Sequence, residues 1–170
     1  MGRSTRRRLA AVVLAILLAG CDGDDGGDAG TDPNAPVISS LSGAFQAGSC
    51  LLGGSTGTPR LLTLDYADAD GNVSGGRLRV TATFRPDASS VTAEFGVPSD
   101  DVVVTGTVQG QVRLSACVLF GSFTELTEDV VLVDASDKKS NALSITSPRP
   151  AGAPEVSRSA RGSAYGGSAR

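Results

Sequence analysis

Between Pro36 and Thr146 the chain alternates short apolar runs with Gly, Pro, Asp and Asn. Residues 77–84, RLRVTATF, show the pattern best. Leu78, Val80, Ala82 and Phe84 fall on one side, and Arg77, Arg79, Thr81 and Thr83 on the other. A period of two with one polar side predicts a strand whose sheet has one wet face. Residues 60–66 put Leu62, Leu64 and Tyr66 on one face, and 111–120 alternate again. Residues 90–97, 101–108, 128–135 and 141–146 read as further strands, the last two joined by the polar turn SDKKS. Residues 36–41 read as a first edge strand, with Pro36 where no ladder donor is needed. This pattern predicts seven or eight short strands, no helix, and an all-β antiparallel sandwich over 36–147.

The pattern fails at both ends. Residues 3–8 carry four Arg, and an apolar run of about 11 residues follows from Leu9 to Ala19. A charged start before a short apolar run is a secretory signal, too short for the roughly 20 residues of a bilayer span. Residues 22–35 hold five Asp, several Gly and no large apolar residue. They cannot bury enough surface to offset the entropy of ordering, so 21–35 read as an extended tether. A weak calcium-binding acidic segment is the alternative. Residues 148–170 are Pro, Gly, Ser, Ala and Arg, with four Arg against Glu155, and predict a disordered basic tail.

Leu18-Ala19-Gly20-Cys21 resembles the lipobox of bacterial lipoproteins. The resemblance covers residues 1–21. It implies a signal peptide over 1–20, a diacylglyceryl thioether on Cys21 and cleavage just before it. Each buried CH₂ contributes ~0.8 kcal/mol, so two or three acyl chains hold a protein on the membrane. The implied location is the bacterial cell envelope, exported and lipid-anchored. Asp22 resembles an inner-membrane retention signal of some lineages, and the choice of membrane stays open.

Two other stretches, 64–80 (LDYADADGNVSGGRLRV) and 130–145 (VVLVDASDKKSNALSI), resemble the opening hairpin and final hairpin of bacterial immunoglobulin-like and cadherin-like domains. That resemblance implies an immunoglobulin-like sandwich used for adhesion, spacing or partner binding, with no catalytic residues to carry over. The Trp of antibody-type domains is missing.

Charge and composition narrow the chemistry. Removing 1–20 takes four of the fifteen Lys and Arg and none of the eighteen Asp and Glu, leaving a net −7. An acidic surface repels phosphate backbones, which argues against nucleic acid as a partner. The absence of His removes His-based triads, His metal ligands and the ordinary near-neutral base. Two Tyr, five Phe and no Trp leave little for a sugar-stacking glycosidase cleft. No Gly-x-Ser-x-Gly elbow occurs, and 53–57 (GGSTG) lack the Lys of a phosphate loop. The expected role is therefore a non-enzymatic binding or adhesion module, meeting an envelope protein, an extracellular protein or a glycan through loops such as 43–58 and 85–90. The alternative is a structural accessory subunit of a larger envelope complex; a His-free hydrolase is the third class.

With Cys21 lipidated, Cys50 and Cys117 remain, and an even pair in an exported protein predicts a disulfide. Cys50 falls in the Gly-rich 43–58 loop, and Cys117 has the opposite parity to Leu114, Ala116 and Val118. The bridge is therefore expected on the outer face of its sheet. The metal candidate is 65–72, DYADADGN. Asp65, Asp68, Asp70 and Asn72 offer hard oxygens around a Gly turn in an echo of calcium loops, without the later bidentate Glu of an EF-hand. The other reading of the same residues is a hairpin turn whose acids cap backbone amides.

Overall fold

The computed structural model describes residues 32–154 and 165–167. The expected signal peptide, Cys21 and nearly all of the expected tether lie outside the described residues. Among those described, two antiparallel sheets pack face to face and no helix occurs. The strands are β1 (Val37–Phe45), β2 (Cys50–Leu52), β3 (Ser55–Ala67), β4 (Arg77–Arg85), β5 (Ser89–Gly96), β6 (Val102–Gly106), β7 (Gln109–Val118), β8 (Glu125–Val133), β9 (Leu143–Pro148) and β10 (Tyr165–Gly167). The first sheet runs β1-β3-β7-β10, with β2 on β3 and β6 on β7; the second runs β5-β4-β8-β9.

The period-two segments fold as their pattern dictates. Leu78, Val80, Ala82 and Phe84 of β4 are buried, and β4 lies between β5 and β8. Its polar side is laced by Arg79 to Glu94 (2.7 Å) and Thr81 to Thr92 (3.0 Å). Leu62, Leu64 and Tyr66 of β3 meet Leu126, Val130 and Leu132 of β8 in one core cluster.

Ten strands stand where seven or eight were expected, and the two that no expected segment covers, β2 and β10, have local reasons. The strand expected over 101–108 stands as β6 and ends at Gly106 (φ 79°), where the chain turns, and β7 starts at Gln109. The Gly-rich 43–58 segment lacks alternation, yet it holds the end of β1, all of β2 and the start of β3. The C-terminal tail expected to be disordered contributes β10, which pairs with Val118, Cys117 and Ala116 of β7. Tyr165 is buried there. The tail's Arg149 also holds the fold: its guanidinium donates to Gly121 O (3.0 Å) and Ala153 O (2.6 Å), beside the Phe120 ring. One large ring with a hydroxyl, two Gly and one Arg were enough to order parts of a segment whose average composition reads as solvated.

Candidate metal centre and the opposite pole

β3 spans 13 residues, about 40 Å at ~3.3 Å per residue, and its two ends define two poles. At its C-terminal end the Asp68 N–H donates to Val108 O (2.7 Å), and residues 68–76 loop over to β4. Gly71 (φ 69°) turns this loop, its N–H donating to Asp68 O (3.2 Å). The Asn72 N–H donates to Asp68 Oδ2 (2.8 Å), and buried Val73 anchors the loop in the core. A Cβ on Gly76 would collide with the backbone of Val133 and Asp134, so glycine is what lets this loop lie against the end of β8.

The second sheet supplies the other half. β8 ends at Val133, and Asp134 Oδ1 accepts from the N–H groups of Ser136 and Lys138 (2.8 Å each). Asp137 takes a left-handed conformation (φ 65°) in this turn. Two bonds fasten the turn to the other loop: Ala135 N–H to Asn72 O (3.1 Å) and Asn72 Nδ2 to Ser136 Oγ (3.0 Å).

One carboxylate oxygen each from Asp68, Asp70 and Asp134 then lies within 4.8 Å of the others. Asp68 and Asp134 are each 1% exposed, while Asp70 is exposed. Among the described residues, four buried side-chain oxygens lack a hydrogen-bond partner, and three of them belong to this pole: Asp68 Oδ1, Asn72 Oδ1 and Asp134 Oδ2. Burial pushes the Asp68 carboxyl above its ordinary range. The Asn72 amide opposes that, and the carboxylates of Asp70 and Asp134 add to it.

Asp65 does not join this set. It sits on β3 with parity opposite to Leu64 and Tyr66, so it points to the outer face. There Ser40 Oγ (2.6 Å) and Gln111 Nε2 (3.1 Å) donate to its carboxylate and hold its pKa below the usual value. Of the four expected residues, Asp68 and Asp70 converge, joined by Asp134; Asn72 is bonded to both loops through its backbone and Nδ2, Asp65 points away, and the turn acids cap amides as well as facing one another. Asp134 was missed because the chain takes 62 residues to return from Asn72; its only sequence signal was a strand ending in Asp before a polar turn.

The opposite pole is closed covalently. Cys50 of β2 and Cys117 of β7 are joined by a disulfide, with a Cα–Cα distance of 5.8 Å. β3 lies between those strands, and the bridge crosses it at Gly57, where a Cβ would stand 2.7 Å from Cys117 Sγ. Ala116 and Val118 belong to the core cluster and Cys117 does not, as its parity predicted; β2 covers the bridge so that Cys117 is fully buried.

Inside this pole a charged network spans both sheets. Arg60 of β3 donates to Glu128 Oε2 of β8 through Nε (3.0 Å) and Nη2 (2.5 Å), and to Ser147 Oγ (3.0 Å). Its guanidinium lies 4.5 Å from the Phe45 ring centroid. The Tyr165 hydroxyl donates to Glu128 Oε1 (2.9 Å). Burial first, then the Glu128 charge, pushes the Tyr165 phenol well above its ordinary value. A Cβ on Gly43 would collide with the Arg60 guanidinium. Both charged residues have inward parity in their strands, Arg60 with Leu62 and Glu128 with Val130.

The poles also differ in what enters and leaves. The chain enters at the acidic pole, where Asp32 pairs with Lys138 (3.3 Å) and Asn141 brackets Ile38, accepting from its N–H (2.8 Å) and donating to its O (3.0 Å). The β2–β3 hairpin lies at the disulfide pole with Leu51 half exposed (52%). The 85–88 turn lies there too, since Arg85 pairs with Glu125 at the start of β8, near Arg60 and Glu128. Compared with protein-family models, with curated proteins and with solved structures, the chain matches none.

Proposed function

We propose that this chain is an exported bacterial lipoprotein, cleaved before Cys21 and acylated there, whose immunoglobulin-like sandwich is a non-enzymatic binding or adhesion module of the cell envelope. The anchor rests on Leu18-Ala19-Gly20-Cys21 and the charged, apolar run before it. The observation that carries the binding role is the arrangement of the poles. The chain enters at one, and the 50–57 hairpin and the 85–88 turn lie together at the other. With the tether rooted beside the membrane, the far pole presents Leu51 on a hairpin fixed by a disulfide. A contact surface whose backbone is already fixed loses little freedom on binding. The acidic net charge favours a protein or glycan partner over nucleic acid.

Protease shaving of intact cells, read with an antibody against the sandwich, tests the reading, alongside Cys21→Ala. Loss of signal on shaving and release of Cys21→Ala into the soluble fraction are the expected results. Protection until the outer envelope is opened points instead to an accessory subunit. Membrane retention of Cys21→Ala overturns the lipid anchor.

A further inference from the structure

We propose that Asp68, Asp70, Asn72 and Asp134 bind one calcium ion, which ties the β3–β4 loop of the first sheet to the β8–β9 turn of the second. The site stands without the anchoring and adhesion reading and goes beyond it.

Three observations carry it. First, the size fits: calcium–oxygen distances of about 2.4 Å put ligands on opposite sides of the ion about 4.8 Å apart, and the three carboxylate oxygens lie within that span. Second, Asp68 and Asp134 are 99% buried, and each keeps one oxygen that accepts nothing from the described residues, as does Asn72 Oδ1. Unpaired buried oxygens are costly, and buried charges are paired or coordinate metals. A proton shared between Asp68 and Asp70 would serve that pair alone. It would leave Asp134 Oδ2 and Asn72 Oδ1 as they are, whereas one cation serves all four. Third, three carboxylates and a carboxamide are hard oxygen donors with no nitrogen or sulfur, the set that suits calcium and not zinc. Calcium also tolerates an irregular cage better than magnesium, which demands a near-ideal octahedron.

The ion has a further effect through the turn it holds. Asp134 Oδ1 organises residues 134–138, and Lys138 of that turn pairs with Asp32 where the chain enters the sandwich. Calcium therefore stiffens the root of the N-terminal segment as well as the two sheets.

The test uses the full chain, purified in detergent and stripped with chelator. Calorimetric titration with calcium chloride is expected to give one ion per chain, with half-saturation at about 0.1–1 mM, the range of extracellular modules. In 10 mM calcium the Tm is expected to rise by about 5–10 °C. Magnesium at the same concentration gives a clearly smaller rise. Asp70→Asn, at an exposed position that leaves the fold intact, weakens calcium binding about tenfold or more. Asp134→Asn does the same while keeping the Oδ1 acceptor of its turn. Asp65→Asn binds as the wild type does. No heat and an unchanged melt in 10 mM calcium overturn the proposal. So does calcium binding that Asp70→Asn leaves intact, or that Asp65→Asn abolishes. Because the purified chain is titrated away from cells, these results are independent of whether Cys21 is acylated or the sandwich faces outward.

Discussion

The two ends of β3 solve the same problem differently. At each, a loop from one sheet must be fixed to a neighbouring element. At the Cys50–Cys117 pole the chain supplies everything: a covalent bond over Gly57, a strand from the far C-terminal region, and an Arg60–Glu128–Tyr165 network whose charges face one another. At the Asp68–Asp134 pole the chain supplies backbone bonds and then turns three carboxylates of the same sign toward each other. The first pole is closed by groups of opposite character, the second by groups of like character. Carboxylates that converge in a folded protein either share a proton, with one pKa raised, or are offset by a cation.

The sharpest way to break this contrast is inside the self-sufficient pole. Glu128→Ala leaves Arg60 buried without a carboxylate, and about 3–5 kcal/mol of stability should be lost in a urea titration. Arg60→Leu with Glu128→Leu together should recover most of that, since the cost lies in the unpaired charge. A double variant as unstable as the single one would mean the network is needed as such.

Removing the bridge by Cys50→Ser with Cys117→Ser releases a loop closed over a sequence separation of 67. The chain-entropy model gives ~4 kcal/mol, with 2–4 typical. Reductant should lower the Tm of the wild type and leave that of the double variant unchanged. If the proposed calcium site holds, calcium should raise the Tm of the wild type and of the double variant by the same increment, because the two poles are far apart and their effects add.

Tyr165→Phe removes the hydroxyl that donates to Glu128 and should cost about 1.5–3 kcal/mol, the range for hydrogen bonds to a charged group. The same residue gives a pH test. Its folded pKa lies well above the ordinary phenol value of 10.0. Below about pH 10 both states are protonated and nothing changes. Above it the unfolded chain releases the proton while the folded one keeps it, so stability falls as pH rises. Tyr165→Phe should flatten that alkaline slope. An unchanged slope would show that another group sets it.

The smallest effect is expected at Asp65. Its hydrogen bonds to Ser40 and Gln111 are exposed, so Asp65→Asn should shift stability by no more than about 0.5 kcal/mol in thermal melts. A large loss would mean the outer face of the first sheet carries more than solvated hydrogen bonds.

The period of two made most of the fold legible. Side chains alternate across a strand, so 77–84, 60–66 and 111–120 declared both their conformation and their buried faces. Cys117's opposite parity declared the outer-face disulfide, whereas the pairing of Arg60 with Glu128 was not legible, because it depends on which strands of the two sheets face each other. The 43–58 segment was not legible as strand, because Gly48, Gly53 and Gly54 adopt positive φ and carry no pattern. β10 was not legible either: three residues owe their conformation to the edge of β7 and to one buried ring.

What the sequence determined by itself was the class: all-β, antiparallel, one sandwich, with a disulfide between Cys50 and Cys117. These follow from local alternation and from counting, which need no knowledge of how the chain returns on itself. Tertiary structure alone decided which acids meet. A strand sends successive side chains to opposite faces, so Asp65 was turned away from Asp68 although only two residues separate them. Asp134, far along the chain, was brought to Asp68 because β8 of one sheet ends where β3 of the other ends. Sheet packing sets that convergence, and no spacing within the sequence encodes it.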